Sequence, residues 1–102
     1  MSLYDPELEV GSKLERVLII VGSERKRQLA LKADGRFKYT LSDDGMTDIE
    51  RAACLMEEMG EVARAALNRT GLAVDEGDFS DKGLRKELAQ IAALAVAWME
   101  RL

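Results

Sequence analysis

The chain reads as an all-α protein of three main helices, forming a helical bundle completed by oligomerisation. Three observations predict this. Two capping boxes, Ser12 with Glu15 and Thr47 with Glu50, each stand ahead of an apolar helical stretch. Apolar residues late in the chain recur at steps of three and four, the period of one helix face. The one strand-like stretch, Arg36-Phe37-Lys38-Tyr39-Thr40-Leu41, has no second strand to pair with and is read as irregular. At 102 residues the chain is a single domain spanning 1–102. Three helices this short bury a limited core, so a dimer or tetramer is expected to extend it.

Residues 1–11 are read as irregular. The first helix opens at Ser12 and runs to about Ala33, with Gly35 as its stop. Gly22 inside it is a weak point, costing roughly 1 kcal/mol relative to Ala. A loop follows through Gly45. The second helix runs from Thr47 to about Arg69, and Gly71 is placed for its C-terminal cap. A Gly- and Asp-rich loop leads to Ser80, which caps a third helix reaching Leu102. In that helix Leu84, Leu88, Ile91, Ala95, Trp98 and Leu102 form the expected inward stripe. Met46, Met56, Met59 and Met99 read as core filling.

Composition removes several functional classes. A net charge of −4 argues against general nucleic-acid binding. With no histidine, nucleophilic catalysis that relies on a histidine base cannot operate. No phosphate-binding loop or dinucleotide fingerprint is present in the sequence. The lone cysteine, Cys54, allows no intramolecular disulfide and reads as a small buried hydrophobe. The apolar run Val17–Val21 is too short to span a bilayer, so the expected location is cytoplasmic, away from membrane.

What remains is acidic chemistry. Glu57, Glu58 and Glu61 lie in the second helix, and Glu87 with Gln90 in the third. Residues three or four apart on a helix are neighbours, so Glu57 and Glu58 both adjoin Glu61, and Glu87 adjoins Gln90. These polar pairs interrupt rows that are otherwise apolar or small: Cys54 and Ala65 flank Glu58 and Glu61, and Leu94 and Ala97 continue the row of Glu87 and Gln90. Carboxylates so close repel unless something positive sits among them. Arg64, Lys86 or a divalent ion fills that role, and all-oxygen ligation without histidine favours Mg²⁺ or Mn²⁺. Spacing alone is equally compatible with a surface patch of glutamates paired to Arg and Lys.

The strings Glu57-Glu58-Met59-Gly60-Glu61 and Glu87-Leu88-Ala89-Gln90 resemble the motif of the MazG-type all-α NTP pyrophosphohydrolases, E-E-x-x-E followed some tens of residues later by E-x-x-D. The resemblance covers roughly Thr47 to Leu102. It extends back to Glu24-Arg25-Lys26-Arg27-Gln28, which is similar to a string in some small members, phage ones included. It implies Mg²⁺-dependent cleavage of an NTP or dNTP to monophosphate and pyrophosphate. By position, Glu58, Glu61, Glu87 and Gln90 correspond to metal ligands, and Glu57 and Glu58 to catalytic groups. Gln90 stands where the pattern has Asp, and an amide oxygen binds Mg²⁺ less strongly than a carboxylate. Asp78 or Asp81 is a candidate to compensate. Gln90 also motivates a second reading, a non-catalytic helical nucleotide-binding or protein-interaction module that retains the fold.

A triphosphate needs cationic partners. Arg25, Lys26, Arg27, Lys32, Arg36 and Lys38 form a basic segment, of which Arg25, Lys26, Lys32, Arg36 and Lys38 are the candidate substrate-binding residues. A solvated helix face is the alternative for each of them. Phe37 and Tyr39 are candidates to stack on a base, Asn68 to read a base edge, and Trp98 to pack in the core.

Overall fold

The computed structural model describes residues 6–37, 40–71 and 81–102, the side chains of 6–10 excepted. Helix α1 spans Pro6–Ala33, α2 Asp48–Arg69 and α3 Asp81–Arg101, and no strand occurs among the described residues. The all-α reading holds. No helix among these residues is long and apolar enough to cross a membrane.

The helix ends follow local chemistry. Thr47 caps α2 in a complete capping box: its hydroxyl accepts from Glu50 N at 3.1 Å, and its own N–H donates to Glu50 Oε1 at 3.0 Å. Gly35 and Gly71 both take positive φ, 76° and 74°, where the chain leaves α1 and α2. Past Gly35 the backbone turns back, with Arg36 N and Phe37 N both donating to Leu31 O. The start of α1 corrects the sequence reading. The helix begins at Pro6 rather than Ser12, because proline's fixed φ and missing N–H suit a first helical turn. Gly22 does not break it. Ser80, Asp78, Lys38 and Tyr39 lie outside the described residues.

Helix α3 is the hub, packing against both α1 and α2. Its buried face is Gly83, Ala89, Ala93 and Ala97. This corrects the expected inward stripe. Leu88 and Leu102 are exposed, and Leu84, Ile91, Ala95 and Trp98 are only partly covered. A helix gripped from two sides presents its smallest residues at the seats, where backbones approach closely, and pushes larger side chains to the margins. The methionines follow the same logic, with Met56, Met59 and Met99 all at least half exposed rather than filling a core. Leu14, Val17, Leu18 and Ile19, all on α1, are each more than half exposed.

The segment joining α1 to α2 is clasped by two buried arginines. Arg51 donates from Nε to Leu41 O and from Nη2 to Asp43 O, both at 2.8 Å. Leu41 beneath it is 2 % exposed. Arg25 donates to Glu100 of α3 at 2.9 Å from Nε, and to Ser42 Oγ at 2.9 Å from Nη2. Lys32 pairs with Asp43, and this hydrogen bond, ahead of those from Thr40, holds the Asp43 carboxyl below its ordinary range.

Candidate active site

Glu58 is the electrostatic centre of the acidic constellation. It is partly buried on the α2 face that looks toward α1 and α3. Burial pushes its carboxyl pKa above the ordinary value, and the negative charges of Glu87, Glu61, Glu57 and Glu24 push it further. The fold therefore brings the charge of four other carboxylates, from all three helices, onto Glu58. Glu57, Glu61 and Glu87 were site candidates from sequence, whereas Glu24, on α1, entered there only within the Glu24–Gln28 string. It is held by Arg27, whose Nε and Nη2 donate to its two oxygens at 2.8 and 2.7 Å.

The other acidic groups differ in setting. Glu57 and Glu61 are exposed, and Glu61 lies 3.8 Å from Arg64. Glu87 and Gln90 are partly buried on α3. The donors, carboxylate oxygens with one amide, suit a hard cation such as Mg²⁺. The crowding that raises the Glu58 pKa is of the kind a cation relieves. Among the described residues, no three acidic or cysteine side chains are already gathered closely enough to enclose an ion.

One cleft adjoins this centre directly, and a second is lined by Glu24. The first, about 350 Å³, is walled by Glu57, Glu58 and Cys54 of α2, Gln28 of α1, and Arg36 and Phe37 of the connecting segment. It unites two catalytic candidates with one predicted cation and one predicted stacking ring. Gln28 was named from sequence only as the end of the Glu24–Gln28 string, without a role of its own. It is 4 % exposed and its Oε1 has no hydrogen-bond donor, a condition costing about 1–3 kcal/mol. The second cleft, about 400 Å³, lies between α1 and the start of α3, where Arg27, Lys82, Arg85 and Lys86 line it beside Glu24. Of these four cations, sequence reading placed Arg27 in the basic segment and Lys86 near the acidic groups, but not Lys82 or Arg85.

Two of the cations expected to bind phosphate are engaged within the chain. Arg25 is buried and committed to Glu100 and Ser42, and Lys32 to Asp43, because the connecting segment needs both for its own anchorage. Lys26 is exposed and lines neither cleft. Arg36 faces the acidic groups. Asp81 pairs with Arg69 rather than joining the carboxylates. Asn68 Oδ1 and Trp98 Nε1 are buried without a partner, and neither residue lines the two clefts.

Beyond the string they share, Glu24 and Gln28 sit four apart, hence on one face of α1, but nothing local says that this face turns toward the acidic groups of α2. No protein-family model, curated protein or solved structure matches the chain.

Proposed function

We propose that the protein is a Mg²⁺-dependent nucleoside triphosphate pyrophosphohydrolase, acting on an NTP or dNTP to give the monophosphate and pyrophosphate. The observation that carries this reading is the convergence of carboxylate charge on a partly buried Glu58, with a basic cleft lined by Glu24, one of the contributing carboxylates. A phosphate chain needs both features: acidic groups to hold a cation and cations to neutralise phosphate oxygens. The resemblance of Glu57–Glu61 and Glu87–Gln90 to the MazG-type motif supports the same chemistry.

In this reading Glu58, Glu61, Glu87 and Gln90 hold the ion. When bound, Mg²⁺ (or Mn²⁺) supplies charge neutralisation at the phosphates. Glu57, exposed at the mouth of the first cleft, is placed to accept a proton from an attacking water. Lys82, Arg85 and Lys86 orient the leaving pyrophosphate, beside Arg27, which holds Glu24. Arg36 screens the acidic wall from the other side.

The working unit in this proposal is a homo-oligomer, a dimer or tetramer. Leu14, Val17, Leu18 and Ile19 stand 56, 52, 59 and 67 % exposed, and this much exposed apolar surface within one stretch of helix suits an interface. Leu18→Lys is expected to dissociate the assembly in sedimentation-velocity runs. An unchanged mass in that variant, or a monomeric wild type, removes the oligomer from the proposal.

The decisive assay is pyrophosphate release from a panel of NTPs and dNTPs with Mg²⁺, comparing wild type with Glu58→Gln and Glu61→Gln. Loss of turnover in both variants supports the assignment, and equal rates in all three proteins reject it. A second reading, binding without turnover, is favoured by Gln90 and by acidic groups that do not yet enclose an ion. A melting temperature raised by nucleotide with no product formed selects that reading.

A further inference from the structure

We propose that Gln28 reads the nucleobase of the substrate, with Phe37 as the surface on which the base stacks; this rests on the nucleotide-hydrolase reading above. The amide of Gln28 is almost wholly buried, yet its oxygen has no donor. Native structures rarely leave such an atom without a use. It belongs to the wall of the cleft that also holds Glu57 and Glu58, so an occupant of that cleft lies beside both the amide and the acidic centre.

The shape and chemistry of the wall specify the occupant. Leu41 and Leu94 give it apolar surface, Phe37 adds an aromatic ring 38 % exposed, and Gln28 adds one unanswered acceptor. A flat heterocycle with an in-plane N–H satisfies all three, since it stacks on the ring and donates to the oxygen. Sugars lack the flat face, and a bare phosphate chain lacks the donor.

The cations fix the direction of binding. Arg27, Lys82, Arg85 and Lys86 line the neighbouring cleft, which Glu24 also lines, one helical turn before Gln28 on α1. A nucleotide lying along α1 therefore places its base at Gln28, in the cleft shared with Glu57 and Glu58, and its outer phosphates past Glu24 toward the start of α3. Gln28 touches the base and not the reacting atoms, so it is a specificity residue.

The test uses the full chain with Mg²⁺ and the four common ribonucleoside triphosphates and their deoxy forms. Gln28→Leu is expected to raise KM for the preferred nucleotide by at least tenfold and to flatten the ranking among bases, with kcat held within a few-fold. Phe37→Leu, on an exposed side chain that leaves the fold alone, is expected to raise KM for every base. A Gln28→Leu protein with unchanged KM and ranking overturns the assignment. Calorimetric titration of nucleoside monophosphates without Mg²⁺ separates this proposal from its parent. Binding that is weakened by Gln28→Leu supports the base site even if wild type releases no pyrophosphate. Monophosphate affinity that is undetectable, or the same in both proteins, overturns the base site even where pyrophosphate release proceeds.

Discussion

Replacing Glu58 by Gln is expected to stabilise the protein while removing the proposed pyrophosphohydrolase activity. Glu58 is disfavoured as an anion by burial first, and then by Glu87, Glu61, Glu57 and Glu24. A like-charge pair three or four residues apart on a helix costs about 0.2–0.5 kcal/mol, which applies directly to Glu58 with Glu61. Glu87 and Glu24 add similar repulsion from the other helices, so neutralising Glu58 recovers about 0.5–1 kcal/mol. For a chain near 100 residues the entropy of unfolding is about 0.2 kcal/mol per degree, so the expected rise in Tm is about 2–5 °C.

The pH dependence gives a sharper signature. A carboxyl whose pKa is raised in the folded state binds its proton more tightly folded than unfolded, so folding takes up protons. The penalty from Glu58 is absent below its ordinary value of 4.5 and grows as pH rises through the interval up to its elevated folded value. Other groups have pH dependence of their own, including Asp43 and Glu50, whose folded pKa values are lowered. The difference between wild type and Glu58→Gln isolates the contribution of Glu58. Melts followed by circular dichroism from pH 4 to 8, with and without Mg²⁺, measure it. Wild type is expected to gain more from Mg²⁺ than the variant does. A variant that melts at or below wild type across the whole range, with the same response to the ion, refutes the reasoning.

Other perturbations probe the scaffold. Ala93 has no exposed surface where α3 meets its neighbours, so Ala93→Leu is expected to cost about 1–3 kcal/mol, read as a lower urea midpoint with an unchanged m value. Thr47→Ala removes the hydroxyl that accepts from Glu50 N and is expected to cost about 1 kcal/mol, read in the same titration. Gly60 has open space where a Cβ would stand, so Gly60→Ala should stabilise an isolated chain by up to about 1 kcal/mol in thermal melts; a loss of stability instead would mean that something in the assembly lies against that face.

The parts of this fold that were legible in the sequence are those decided by neighbouring residues. Thr47 and Glu50 form a capping box within one turn, and Gly35 and Gly71 end helices because glycine readily takes positive φ. The α3 face was not legible, because an alanine-rich helix carries two overlapping periodic rows. Size alone favours Leu84–Leu88–Ile91, whereas close packing selects Ala89–Ala93–Ala97. At the site, Glu57, Glu58 and Glu61 are fixed by intrahelical spacing, and Arg36 and Phe37 were named as candidates before their common cleft was known. Glu24, Gln28, Lys82 and Arg85 join the site only through contacts between helices. Arg25 and Lys32 share the charge of a phosphate clamp, and only their burial and pairing show that they serve the chain's own connection.

Helices α1 and α2 each pack on α3, and among the described residues they do not pack on one another. The molecule is thus a pair of calliper arms on one shaft, with Glu24 and Gln28 on one jaw and Glu57 and Glu58 on the other. The gap between the jaws is set where Arg25 reaches Glu100 and Ser42, and where Arg51 grips the backbone at Leu41 and Asp43. Arg25 and Arg51, which line neither cleft, thereby fix the connecting segment against which the acidic mouth is built.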